Sequence, residues 1–569
     1  MKKVKSISSL ISLCITGLSA TGTATAAQYI EADTIYRNGN IITMSVANDI
    51  AHAVAVKDGK VIAVGGNSAV HALSGKNTEF VNLHGKTMIP GFVDAHSHFS
   101  WAGTRKFQVD LNSPPIGSTE NIDGIVNALM AAAKTTPPGT WIRGSGYDDT
   151  LLAEKRHPTR EDLDRASTQH PILITHVSGH LVVANSLALR LAGITADTPN
   201  PPGGIIQKDS ANMPNGVLEE TAAGLVSRLV PALTSAQIIE GLEYASGIYA
   251  SKGVTTANEG AAASVNTLKL FKQAVDEGKL KIRANLWTSL EAMDNFYKFP
   301  LDTEMISRGG VKDFADGSIQ GYTGYLGRPY YTHYHGDPTY RGYPRYDREI
   351  FAARVKKAHD AGHQVLVHGN GDAAIDDILY AFRKAQEATP RADTRHTVIH
   401  SQTSRDDQLD EMARLGAIPS FFVLHTYYWG DRHRDIFLGP ERASRISPTK
   451  SAIERGMHFT IHTDTPIVPM DPFLLMWSAV NRISTSGAVI GAEQRITPLQ
   501  ALRATTIEAA YQNFEEKLKG SIETGKLADL VILSANPIGV DPGQIRDIKV
   551  VETIVGGKSV YKTTDPALR

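Results

Sequence analysis

Between residues 89 and 510, short apolar runs recur with helical stretches between them. That alternation commits a chain to a parallel sheet with helices packed outside it. Eight runs stand out: MIPGFVDAHSH, GVTTANEG, KIRANLWTSL, GGVKDFADGS, HQVLVHGNGD, HTVIHSQ, AIPSFFVLHTYYWGD and HFTIHTDTP. Eight parallel strands with crossover helices make a (β/α)8 TIM-like barrel, an α/β fold. Residues 100–250 are too long for one βα unit. They must hold an insertion, which includes WIRGSGYDD and PILITHVSGHLVVANSLAL.

The two ends of the chain read differently. Residues 27–88 alternate short apolar segments with tight turns, and Asn38-Gly39 and Asp58-Gly59 read as hairpin turns. Residues 511–569 repeat the style, with a turn at Gly556-Gly557. Neither end has enough strands to stand alone. The expectation is one composite β-sandwich formed from the N- and C-terminal segments, 27–88 and 511–569, beside a barrel spanning 89–510.

Lys2, Lys3 and Lys5 precede an apolar stretch from Ile7 to Ala20, and Thr23-Ala24-Thr25-Ala26-Ala27 follows. A charged start, a short apolar centre and small residues make a signal peptide, here residues 1–26. The chain is therefore expected to be periplasmic or secreted, with no membrane anchor. Cys14 is the only cysteine and lies inside that stretch. The mature chain then offers neither a cysteine nucleophile nor cysteine ligands. With 58 basic and 59 acidic residues, no charged stripe suits nucleic acid. The expected partner is a small-molecule substrate, with a homodimer as the commonest assembly.

Polar residues stand at the ends of the predicted strands. His96 and His98 end the first. Residues two apart on a strand point to the same side, so both imidazoles can grip one metal ion. Lys312 lies on the fourth run, His368 on the fifth, His400 on the sixth and Asp464 on the eighth. Each alone has an ordinary explanation. His368 suits a hydrogen-bonded core, Lys312 can reach solvent, and Asp464 before Thr465-Pro466 can cap a helix. Together they gather at the face where such barrels place their chemistry. The set is enough to hold one or two divalent ions with positions left open for water.

The runs GFVDAHSHF, PTREDLDRAS, HVSGHLVVANSLAL, NGVLEE, GGVKDFADGSI, VHGNGDAAID, VIHSQ and HTDTP…DP carry a resemblance. The chain resembles the amidohydrolase superfamily of metal-dependent hydrolases, in the branch that includes N-substituted formamide deformylases. The resemblance covers nearly the whole mature chain. It implies that His96 and His98 bind the more buried metal. It implies that Lys312, carboxylated, bridges two metals, and that His368, His400 and Asp464 complete the set. The most expected ion is Zn2+, as one or two ions. Asp464 is then the general base and acid: it takes a proton from the attacking water and delivers it to the leaving amine. Two positions depart from common members, Ile399 before His400 and His462-Thr463 before Asp464.

The expected reaction is hydrolysis of a C–N bond in an amide, most simply a linear one. Alternatives are ester, lactone or cyclic-amide hydrolysis or isomerisation on the same site, and a non-catalytic metal- or ligand-binding protein. Substrate contacts are expected from His180, Tyr322, Tyr325, His425 and Trp429. His180 has an open role, either at the metal or oxyanion or as a structural hydrogen bond. Tyr322 and Tyr325 begin a tyrosine-rich loop ending at Tyr346, which lines an apolar pocket or packs on the barrel rim.

Overall fold

The computed structural model describes residues 30–47 and 50–568. The expected signal peptide lies outside the described residues. All eight strand runs form strands of one parallel sheet: β1 (Phe92–Val93), β2 (Val254–Ala263), β3 (Arg283–Ser289), β4 (Ile306–Phe314), β5 (Val365–Gly369), β6 (Thr397–His400), β7 (Ile418–Phe421) and β8 (Thr460–Ile461). Their order across the sheet is their order in the chain. β1 and β8 are the edges, and the backbone joins them just beyond the strand ends. Asp464 N donates to His96 O at 3.2 Å, and His98 N donates to Thr465 O at 2.7 Å. The curled sheet fits a TIM-like barrel.

Strands β5, β6 and β7 are buried at every residue. That is why they read as continuous apolar runs rather than alternating ones. The helices cover the outer face. Asp372–Ala388 follows β5 and buries Ile375, Ile378, Leu379 and Phe382, the stripe one helix face presents. Asp406–Leu415 follows β6 and stops at Gly416, whose φ of 64° makes a left-handed cap.

The insertion between β1 and β2 has its own six-stranded sheet. Its central strands are Ile142–Tyr147, Ile172–His176, Leu181–Ala184 and Pro214–Glu220. The turn at 177–180 and the end of Pro214–Glu220 reach the barrel mouth, where Ser178, His180 and Glu220 line the same cavity as the strand ends.

Two sheets take up the chain termini. One joins Asn40–Ile42, Ile50–Ala51 and Thr87–Pro90 to Leu530–Leu533, Val550–Val555 and Lys558–Lys562. The other holds Thr34–Arg37, Ala53–Lys57, Lys60–Gly65 and Glu79–Asn82. Asp58-Gly59 and Gly556-Gly557 make hairpins, with positive φ at all four residues. Asn38-Gly39 does not make one. The strands on either side of it belong to different sheets, so this turn carries the chain across. The seventh run is also shorter as a strand than the sequence suggests. β7 ends at Phe421, and His425–Tyr428 is a helical turn. Its aromatic tail folds back, placing the His425 ring 4.2 Å from that of Phe422. Among the described residues no helix is long and apolar enough to cross a membrane.

Candidate metal centre

His96, His98, Lys312, His368, His400 and Asp464 all line one cavity of about 340 Å³ at the C-terminal ends of the strands. The Asp464 carboxylate is the hub. Its Oδ1 is 3.3 Å from His96 Nε2 and 3.2 Å from His98 Nε2, and its Oδ2 is 4.0 Å from His400 Nε2. Lys312 Nζ lies 3.3 Å from His96 Nε2. His368 and His400 are ring neighbours at 4.6 Å.

Each side chain is aimed by a partner behind it. Asp94, two residues before His96, accepts the His96 and Asn258 backbone N–H groups, both at 3.3 Å, and the Ser97 hydroxyl. This fixes the loop that carries both histidines. Trp287 stacks on the His96 ring with planes 7° apart. Gly260 closes the other side, because a Cβ there would stand 2.3 Å from His96 Nδ1. Asp316 Oδ1 lies 3.2 Å from His368 Nδ1, and His462 Nε2 lies 3.1 Å from His400 Nδ1. His400 Nε2 is left for the cavity, and His368 Nε2 stands 3.3 Å from the Asn370 side-chain amide at the cavity wall. His180 Nδ1 stands 3.0 Å from the Glu220 carboxylate. His400 and Asp464 have φ of 71° and 55°, a left-handed backbone that is costly for residues with a Cβ. Strain of this kind persists where the surroundings impose it and concentrates at functional positions.

The residues fit a divalent cation. Asp464 Oδ1 is buried and takes no hydrogen bond, although two imidazole nitrogens stand beside it. An orphaned carboxylate oxygen among Nε2 atoms is the donor set a cation satisfies. Burial, then neighbouring positive charge, pushes His96, His368 and His400 well below their ordinary range. They are therefore neutral, the form that ligates. Burial also pushes the Lys312 ammonium down to about 7, against the pull of Asp464.

The other expected contacts fall in three places. His180 lines the cavity. Tyr322 lines a larger neighbouring cavity and stacks on Tyr334. Tyr325 lines neither, and its ring lies under the Arg341 guanidinium at 5.3 Å. His425 and Trp429 are buried behind the site; Trp429 Nε1 donates to Asp148 Oδ2 at 3.0 Å. Glu220, Trp287, Ser178 and Arg345 are site neighbours that sequence reasoning did not single out. Glu220 and Trp287 sit inside runs already marked, NGVLEE and KIRANLWTSL. Nothing in the sequence marks Arg345.

Residues 79–561 match the model of the amidohydrolase family. YtcJ of Bacillus subtilis (strain 168), named for the amidohydrolases, is 30% identical over 541 residues, covering 93% of this chain and 99% of YtcJ. An N-substituted formamide deformylase of Arthrobacter pascens is 28% identical over 555 residues, covering 94% of this chain and 99% of its own. The crystal structure of an uncharacterized metal-dependent hydrolase from Pyrococcus horikoshii OT3 superposes with a TM-score of 0.71 at 25% identity, covering 90% of this chain and 99% of its own. With the match spanning most of its length, this chain belongs to the amidohydrolase family.

Proposed function

We propose that this protein hydrolyses the C–N bond of a linear amide at a metal centre held by His96, His98, Lys312, His368, His400 and Asp464. The observation that carries the reading is the Asp464 carboxylate, with an unbonded buried oxygen, set among three imidazole Nε2 atoms at 3.2 to 4.0 Å. The likeness to an N-substituted formamide deformylase supports the choice of bond. One or two zinc ions bound here supply Lewis-acid polarisation of a carbonyl and a water acidic near pH 7.

The chain's own residues do the rest. Asp464 takes a proton from the attacking water as the C–O bond forms. It returns that proton to the amine nitrogen as the C–N bond breaks. His180 donates from Nε2 to the carbonyl oxygen as charge builds there. Burial works against a charged His180 ring, but Glu220 outweighs it and raises its pKa. Lys312, partly a neutral amine near pH 7, adds CO2 at Nζ and releases one proton, giving an anionic oxygen donor. The two terminal sheets, whose facing apolar side chains share one cluster from Tyr36 to Ile554, are read as the composite sandwich beside the barrel.

A panel of linear N-substituted amides, esters, lactones and cyclic amides tests the reading. Amine release from linear amides, formamides first, is expected. Turnover confined to esters, lactones or rings would overturn it.

A further inference from the structure

A second cluster of ligand-type side chains lies in the insertion, away from the barrel mouth. Asp149 follows the strand Ile142–Tyr147, His157 lies in the loop after it, and His176 ends the strand Ile172–His176. The Asp149 carboxylate faces both rings. Oδ1 is 3.0 Å from His176 Nε2, and Oδ2 is 3.8 Å from His157 Nε2. A hydroxyl holds each ring at its other nitrogen. Ser178 Oγ is 2.8 Å from His176 Nδ1, and Tyr147 OH is 3.1 Å from His157 Nδ1.

We propose that Asp149, His157 and His176 form a second metal site, taking a divalent transition-metal cation such as zinc. Two imidazoles and a carboxylate suit that class of ion. Zinc bonds of about 2.1 Å in a tetrahedron set neighbouring donors about 3.4 Å apart. The separations from His176 to Oδ1 and from His157 to Oδ2, one carboxylate oxygen for each ring, straddle that spacing. Ser178, through its hydroxyl and its backbone N–H, and the Tyr147 hydroxyl fix the two rings at Nδ1, with both Nε2 atoms facing Asp149. Asp148 is also near, but Thr150 and Trp429 already take both its oxygens.

The site has an open side. Asp149 and His157 line a cavity of about 690 Å³, which also holds Tyr322, Tyr334 and Arg432. It is separate from the cavity of the first centre, and one residue links the two clusters. Ser178, which orients His176, lines the barrel-mouth cavity and accepts the His180 backbone N–H at 3.2 Å.

The test is zinc binding by the full chain, first stripped of metal and then dialysed against micromolar zinc. Asp149→Asn is expected to bind one equivalent fewer than wild type. The double variant His96→Asn, His98→Asn is expected to keep that equivalent while losing zinc from the barrel mouth. Should Asp149→Asn fail to fold, His157→Gln, at the cavity surface, carries the same expectation. Zinc-edge anomalous scattering from wild-type crystals needs no variant, and a peak between Asp149, His157 and His176 is expected. A peak at the barrel mouth alone, or equal zinc in wild type and Asp149→Asn, would reduce the cluster to an ion pair and overturn the proposal.

Discussion

Asp316 holds His368 from behind: its Oδ1 stands 3.2 Å from His368 Nδ1, which puts Nε2 at the cavity wall beside the Asn370 amide. The same carboxylate accepts the backbone N–H groups of Tyr325, Asn370 and Gly371 at 3.0, 3.0 and 2.8 Å. Burial pushes this carboxyl up to about 7, and the three N–H donors pull the other way. One buried acid thus ties the end of β4 to the end of β5 and sets the edge His368 presents.

Asp316→Asn should therefore loosen the metal rather than unfold the barrel. Losing the partner of a ligating histidine lowers metal affinity by about 10–100-fold. Competition with a chromophoric chelator measures this, and wild-type affinity in the variant would contradict the role.

Asp464→Asn removes the proposed proton acceptor and keeps the side chain's size. Turnover should fall by roughly 10²–10⁴-fold, the usual contribution of a general base. Zinc measured in the same samples should remain, because the histidines stay. Unchanged turnover would remove Asp464 from the chemistry.

Lys312→Ala should lower zinc content. Wild type reconstituted with zinc should load fully only with bicarbonate present, since carboxylation consumes CO2. Full loading in CO2-free buffer, or a Lys312→Ala chain holding as much zinc as wild type, would leave Lys312 without that role.

Asp162 gives a pH-dependent contribution to the insertion. Burial opposes its charge, but Arg156 Nη1 at 2.6 Å and the Thr159 backbone N–H at 2.8 Å outweigh burial and hold its carboxyl below the ordinary value of 3.8. A depressed carboxyl stabilises above its unfolded pKa and stops doing so as pH falls through the folded value. Asp162→Asn should cost about 1 kcal/mol at pH 7, which speeds amide exchange at the start of the helix Arg160–Asp164 about fivefold. The difference should close once the pH falls below the depressed folded value, where both side chains are neutral. A gap that persists there would deny the role to the charge.

The barrel strands were legible because burial on both faces leaves an uninterrupted apolar run that stops where the site begins. His96 and His98 were legible as a pair from their spacing, but β1 ends at Val93 and it is the loop beyond it, tied down by Asp94, that brings both Nε2 atoms to Asp464. Asn38-Gly39 misled because the pair specifies a positive φ, not which sheet the next strand joins. His425 and Trp429 misled because aromatics suit a strand and a helical turn equally, and only the packing against Phe422 and Asp148 decides. Trp287 against His96 is a contact across the barrel, and no local pattern reports it. The tyrosines of the loop pack mainly on one another, on Phe437 and on Glu219, as Tyr322 and Tyr343 do. A sequence gives their number, not the direction they face.

If a metal held around Asp464 drives amide hydrolysis as proposed, turnover must depend on that metal. The most direct measurement is release of formate and amine from a linear N-substituted formamide, before chelation, after chelation, and after zinc is restored. Turnover should disappear with the metal and return with it. Turnover that survives complete removal of metal, or zinc-loaded enzyme that cleaves no linear amide, would contradict the proposal.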